Sequence, residues 1–305
     1  MKTLRRLALG ADLVALGTVV LGSWTRINGA GETCPDWPLC HGSVVPAMSD
    51  GTIWEWTHRL LAFLVAPLVA GLIAVAWKQR RESPFIAPTV VVIAVLFLAQ
   101  VLLGAATVQL ANAPISVVLH WGTAMAFIAA LSAMAIFAAA ADTPARGPEA
   151  TASFSVSAVL CVTAVSAFAT MCIGAYVSSS GAGLACLSIP GCAGNVVVYS
   201  DGQYVQMVHR IAAGITLLCA AAALAVAWAR PASSRVRAAV TTGVSLVSLQ
   251  VLLGLLNVAL RLPTDLREAH AVNAALTFLA FVVATLFAAL DANLVGAPKR
   301  LEVNR

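Results

Sequence analysis

Four of the five histidines of this chain stand in long apolar runs, and they form two matched sets. His58 and His209 each precede an arginine, in "EWTHRLL" and "QMVHRIA", while His120 and His270 lie further on in "VVLHWG" and "REAHAV". An ionisable side chain inside an apolar span is rare, and it marks a functional site more often than a packing contact. Two imidazoles presented by facing helices of an apolar bundle meet the requirement for axial ligation of a haem iron from both sides. Zinc suits the set less well, because it takes four ligands and no further Cys, Asp or Glu repeats at this depth. A polar residue hydrogen-bonded between helices accounts for any one of these histidines, but poorly for four in matched pairs.

The elements that carry them must be membrane helices. The chain has 305 residues, 60% hydrophobic and only 10% charged, too apolar for a soluble domain of this size. The net charge of +5 does not imply a nucleic-acid partner, because basic residues held at a cytoplasmic face give the same sum. Eight stretches are long enough to cross a bilayer: 5–25, 52–77, 85–110, 115–140, 153–178, 203–229, 236–260 and 266–291. The first has a basic start but no small-x-small cleavage site, so it reads as a retained helix rather than a signal peptide. The segments "MKTLRR", "KQRRES", "TPARGPE", "RPASSRVR" and "APKRLEVNR" carry 13 of the 18 Lys and Arg. By the positive-inside rule both termini are cytoplasmic in the plasma membrane, and the long loops at about 26–51 and 179–202 lie outside.

The chain repeats itself at an offset of about 150 residues. Gly29-Ala30-Gly31 matches Gly181-Ala182-Gly183, Asp50-Gly51 matches Asp201-Gly202, and "QVLLG" occurs at Gln100–Gly104 and again at Gln250–Gly254. The expected fold is therefore all-α and integral to the membrane: two tandem four-helix bundles related by a pseudo-twofold axis along the membrane normal. The bundles are expected at 1–141 and 152–305, with a cytoplasmic linker at 142–151. All four histidine-bearing helices run from outside to inside, with the histidines within about two turns of their starts. His58 then faces His120 across one bundle, and His209 faces His270 across the other. Gly104 and Gly254 admit either a planar ligand or ordinary close helix packing. Arg59 and Arg210 suit haem propionates or lipid headgroups.

Cys161, Cys172 and Cys219 fall in apolar helices and read as packing residues. Cys34/Cys40 and Cys186/Cys192 instead enclose turn-forming residues in the outer loops. An oxidising compartment and a short turn favour one disulfide within each loop.

Taken together, "TRINGAG" (25–31), "CPDWPLCHG" (34–42), "EWTHR" (55–59), Leu119-His120, "VHR" (208–210) and Ala269-His270 resemble the haem A synthase family, in its bacterial type with paired loop cysteines. The resemblance covers nearly the whole chain. It implies an oxidoreductase that converts a ring methyl of haem O to a formyl through a hydroxymethyl, giving haem A for cytochrome oxidase. It implies that His209 and His270 hold a permanent haem b, and that His58 and His120 hold the substrate. It implies haem O synthase as a possible partner, beside an electron partner and membrane lipid. Two histidines saturate haem iron, so either one leaves during turnover or the substrate is oxidised by electron removal and captures water.

One residue breaks the repeat. Glu55 stands three residues before His58, and Gln206 stands in the same place before His209. Positions i and i+3 share a helix face, so Glu55 is the candidate catalytic carboxylate, serving as a base or offsetting positive charge. The plainer reading pairs it with Arg59 at i,i+4. Two other functions compete with the enzyme. A two-haem electron-transfer cytochrome b explains the histidines but not Glu55, and a two-repeat transporter predicts more midplane charge than the chain carries.

Overall fold

In lipid every backbone polar group must be satisfied within its own segment, so the apolar runs of this chain become helices. A computed structural model describes residues 1–142, 153–192, 194 and 198–292. The expected linker at 142–151 lies outside the described residues except for Asp142, as does the basic tail from residue 293. The helices are α1 (Lys2–Ile27), α2 (Thr52–Lys78), α3 (Ile86–Gln109), α4 (Pro114–Ala141), α5 (Phe154–Ser179), α6 (Asp201–Ala229), α7 (Ser234–Ala259) and α8 (Thr264–Asp291). Their ends lie within three residues of the expected spans. All eight are long and apolar enough to cross a membrane. No strand occurs among the described residues; a 3-10 turn, Ala182–Leu184, precedes the second disulfide loop.

The ends follow local chemistry. Ser200 and Ser233 cap α6 and α7 by accepting hydrogen bonds from the backbone N–H groups of Gln203 and Val236. Pro114 opens α4, where its missing N–H costs nothing. The four-residue turns before α4 and α8 have positive φ at Ala111, Asn112, Arg261 and Leu262. Large apolar side chains such as Leu13, Phe63, Leu98 and Leu218 stay exposed on the helix exteriors, where hydrocarbon rather than water is the expected solvent.

Helix contacts run in parallel in the two halves. α1 packs on α2 and α4, and α3 on α4; α5 packs likewise on α6 and α8, and α7 on α8. The halves meet through α4 against α5 and α8, and through α1 against α8. One buried cluster joins Leu72, Ile93, Met125 and Leu131 of the first half to Ala167, Met171, Ala275 and Phe278 of the second. At this seam Gly122 of α4 faces Cys172 and Phe168 of α5, so a side chain there would press on the thiol at 3.3 Å. At the end remote from the disulfide loops, Asp291 takes a salt bridge from Arg235 and a hydrogen bond from Ser233, tying α8 to α7.

Candidate functional site

Each of the four helix-borne histidines lies over a glycine. A Cβ placed on Gly22 of α1 would sit 2.6 Å from the His58 ring, and one on Gly174 of α5 would sit 2.8 Å from His209. Gly104 and Gly254 do the same for His120 and His270, at 3.2 Å. The space expected above Gly104 and Gly254 for a planar ligand or a helix backbone is thus taken by the imidazoles. Helix geometry explains the need, since a ring between two closely packed helices requires one of them to lack a side chain. The imidazoles of each half lie within Coulombic range of one another, His58 with His120 and His209 with His270.

The ring nitrogens are partly engaged. Nδ1 of His58 hydrogen-bonds the Thr18 carbonyl at 2.9 Å, which leaves its other nitrogen for a ligand. The equivalent Thr170 carbonyl lies near His209, but outside hydrogen-bond geometry, and Nδ1 of His209 is buried without a partner. Gln100 donates from Nε2 to His120 at 3.2 Å, and Gln250 to His270 at 3.1 Å. Nδ1 of both His120 and His270 is buried and unpartnered. A glutamine N–H can only donate, so Nε2 of His120 and His270 accepts and their Nδ1 carries the proton; iron ligation would use the Nε2 lone pair in place of the glutamine N–H. A second-nitrogen acceptor such as the Thr18 carbonyl orients a metal-binding histidine.

The outer loops are pinned from below by repeat-related residues. Disulfides Cys34–Cys40 and Cys186–Cys192 close them, with Cα separations of 4.7 and 4.6 Å. Such short closures stabilise by roughly 2–3 kcal/mol in the loop-entropy view. Arg59 donates to the carbonyls of Cys34, Asp36 and Leu39, and Arg210 to those of Cys186, Ser188, Pro190 and Gly191. Both guanidinium groups therefore spend donors on loop backbone.

Glu55 and Gln206 do the same anchoring with different atoms, and each is 4% exposed. Glu55 accepts from the Cys34 N–H at 2.9 Å and the Thr33 hydroxyl at 3.1 Å on one oxygen, and from Arg59 at 2.6 Å on the other. Gln206 accepts from the Cys186 N–H at 2.5 Å and donates its amide to the Gly183 carbonyl at 2.8 Å. In the first half the matching Gly31 carbonyl is taken by Asn112 at 2.8 Å. The counterpart of Asn112 is Leu262, which packs against Gly183 and offers no donor. The exchanges at 55/206 and 112/262 are therefore coupled: whichever half lacks the asparagine needs an amide in place of the carboxylate.

The second half encloses a cavity of about 550 Å³, within the range of small-molecule and cofactor sites. His209 and His270 stand in its wall with Gly174, Gly254 and Gln250. Its lining is mainly apolar, with Arg26, Arg210 and Arg267 contributing the cations. A flat, largely apolar ligand with an iron centre and acidic edge groups suits these residues: two imidazoles in the wall, an apolar lining and guanidinium groups. Among the described residues no third His, Cys, Asp or Glu joins a histidine pair into a larger metal-binding group.

Sequence reasoning missed Gly22, Gly174, Thr18 and the Arg26–Arg267 pair. A self-alignment extended through α1 and α5 would have found the glycines, since Gly22 and Gly174 fall in the same register as Cys34 and Cys186. Nothing in the sequence reveals that Arg26, on the first helix, reaches a cavity in the second half.

Residues 5–282 match the family COX15-CtaA, described as cytochrome oxidase assembly protein. The chain is 30% identical over 222 residues to heme A synthase of Bacillus licheniformis, covering 70% of this chain and 71% of that protein. It is 29% identical over 216 residues to heme A synthase of Shouchella clausii, covering 70% and 72%. It is 27% identical over 316 residues to heme A synthase of Shewanella oneidensis, covering 88% and 92%.

Proposed function

The chain belongs to the COX15-CtaA family of cytochrome oxidase assembly proteins, and from that premise we propose that it is an oxidoreductase that oxidises a ring methyl of haem O to the formyl group of haem A. The observation that carries this reading is the cavity walled by His209 and His270 in one copy of a repeated four-helix unit whose other copy holds His58 and His120. The two bundles, 1–141 and 152–305, are taken as related by a pseudo-twofold axis, and their parallel helix contacts support this. The chain is a multi-pass membrane protein. The distribution of Lys and Arg supports a plasma-membrane orientation with both termini cytoplasmic.

In this reading His209 and His270 hold a resident haem b, and His58 and His120 hold the iron of haem O. The resident group supplies one-electron redox chemistry when bound. The chain does the rest. Thr18 fixes the ring of His58 through Nδ1, and Gln100 and Gln250 hold the Nε2 atoms of His120 and His270 until a ligand takes them. The apolar helices keep bulk water from the ring faces. Arg59 and Arg210, with the disulfides, hold the outer loops over the two sites.

Glu55 is the proposed catalytic carboxylate, accepting the proton released from the methyl carbon or offsetting the positive charge that develops there. Its anchoring of the loop does not exclude this role, because Gln206 secures the equivalent loop without a charge. Haem O synthase is the proposed source of substrate, since haem O is apolar and is best passed within the membrane.

The test is co-expression with a haem O source, followed by extraction and chromatography of the pigments. Haem A and its hydroxymethyl precursor are expected, beside a bis-imidazole spectrum from retained haem b. Haem b alone, with haem O supplied and unchanged, would instead identify an electron-transfer cytochrome.

A further inference from the structure

Two arginines of the second-half cavity remain unexplained by loop anchoring. Arg26, in the last turn of α1, donates one hydrogen bond, to the Ser178 hydroxyl at 3.1 Å. Arg267, in the first turn of α8, makes no side-chain hydrogen bond or ion pair among the described residues. Both line the cavity, and they lie within Coulombic range of each other. Like charges brought together at a cavity wall repel unless an anion joins them. Glu268 offsets part of this charge, but one of its oxygens is held by Ser23 at 2.8 Å and the other has no partner. Arg267 stands three residues before His270, so it shares that helix face about one turn nearer the loop end.

Resting on the haem reading above, we infer that Arg26 and Arg267 form the carboxylate-binding site for the propionates of the haem held by His209 and His270. Guanidinium groups suit this task, being always charged and able to meet a carboxylate with two parallel donors. The site is also built across the halves, because Arg26 belongs to the first and the histidines to the second. In the repeat register Arg26 corresponds to Ser178, and Arg267 to Val117. Ser178 and Val117 line this same cavity, so the repeat supplies no second arginine pair at these positions. A haem held by His209 and His270 is then anchored by its edge as well as its iron, and the repeat equivalents of the two arginines are uncharged. That difference suits one site that retains its haem and another that exchanges it.

The experiment uses detergent-solubilised holoprotein and follows haem transfer to excess apomyoglobin, for wild type, Arg267→Gln and Arg26→Gln/Arg267→Gln. The second-half haem is expected to leave at least about tenfold faster from the double variant, with its initial bis-imidazole spectrum unchanged. Its midpoint potential should fall, since nearby positive charge favours the reduced form. After haem removal, wild type should rebind protohaem more tightly than its dimethyl ester, and the double variant should not discriminate. Arg267→Gln guards against a folding defect, because that side chain makes no bond in the fold, and it should show part of each effect. Unchanged release with undiminished preference for the free acid would overturn the inference and leave the haem reading standing. A wild-type protein with no bis-imidazole haem would overturn both.

Discussion

Below the first disulfide loop a buried carboxylate meets an arginine; below the second a neutral amide holds the same backbone position. Both side chains accept from the N–H of the first loop cysteine, and both neighbouring arginines clasp loop carbonyls. The amide half balances itself by donating to the Gly183 carbonyl, a duty that Asn112 performs for Gly31 in the other half. The second half thus builds the equivalent corner without a charge at this position, whereas in the first Glu55 also pairs with Arg59. At the cavity the contrast reverses: Arg26 and Arg267 line it, and their repeat equivalents, Ser178 and Val117, are uncharged. Gln250 is also braced there by Asn273 at 2.7 Å, whereas the Oε1 atom of Gln100 is buried without a partner. The repeat keeps the histidines and their glycines and redistributes charge around them. Under the proposed function one half retains its haem and the other turns its haem over.

The sharpest way to break that division is to remove ligands one half at a time. His209→Ala or His270→Ala should lower retained haem b by more than about tenfold. His58→Ala and His120→Ala should leave it in place and abolish haem A formation. Pyridine haemochrome assays on the four purified variants measure this, and equal loss in all four would erase the proposed difference between halves.

The coupled exchange at Glu55 and Asn112 offers the next test. Glu55→Gln should reduce haem A formation by about 100-fold or more if the carboxylate handles the proton. Alone it also leaves an amide beside Arg59 with no carbonyl to receive it. The double variant Glu55→Gln/Asn112→Leu frees the Gly31 carbonyl and recreates the second-half arrangement. It should restore thermal stability without restoring turnover. Recovery of haem A yield in the double variant would make the exchange purely structural.

The glycines should give a graded response. Gly22→Ala and Gly174→Ala press on an imidazole at 2.6 and 2.8 Å, while Gly104→Ala and Gly254→Ala meet one at 3.2 Å. The first pair should cost about 1–3 kcal/mol and perturb the haem absorption bands, and the second pair less. Gly22→Ala should alter only substrate binding, and Gly174→Ala only the resident haem.

The smallest effect is expected in the loops. Asp36 accepts from the Gly42 and His41 N–H groups, and these bonds, Gly42 first, hold its carboxyl below the usual carboxylate range. A depressed folded pKa contributes stability above the unfolded value and loses it as pH falls through the folded one. In the second loop Ser188 stands in the same place, accepting from the Gly194 N–H, and does not titrate. Hydrogen exchange should therefore loosen residues 34–42 below about pH 4, while residues 186–192 stay unchanged. Parallel loosening of both loops would place the titrating group elsewhere.

Much of this molecule was determined by the sequence alone. Apolar runs of sufficient length must be helices in lipid, because no other open segment satisfies its backbone there. The repeat register paired the histidines and loop cysteines, since duplicated segments with the same apolar pattern pack alike. What the tertiary structure decided is where long polar side chains end. Arg59 and Arg210 reach loop carbonyls, Glu55 turns to the Cys34 N–H, and Arg26 crosses from α1 to a cavity of the other half. Helix position specifies a Cα and a direction, but a guanidinium group lies several bonds beyond it. Which acceptors it meets depends on the neighbouring helix and on which carbonyls other side chains have taken. That is why Asn112 and Leu262, unremarked in the sequence, bear on whether the residue before each histidine is an acid or an amide.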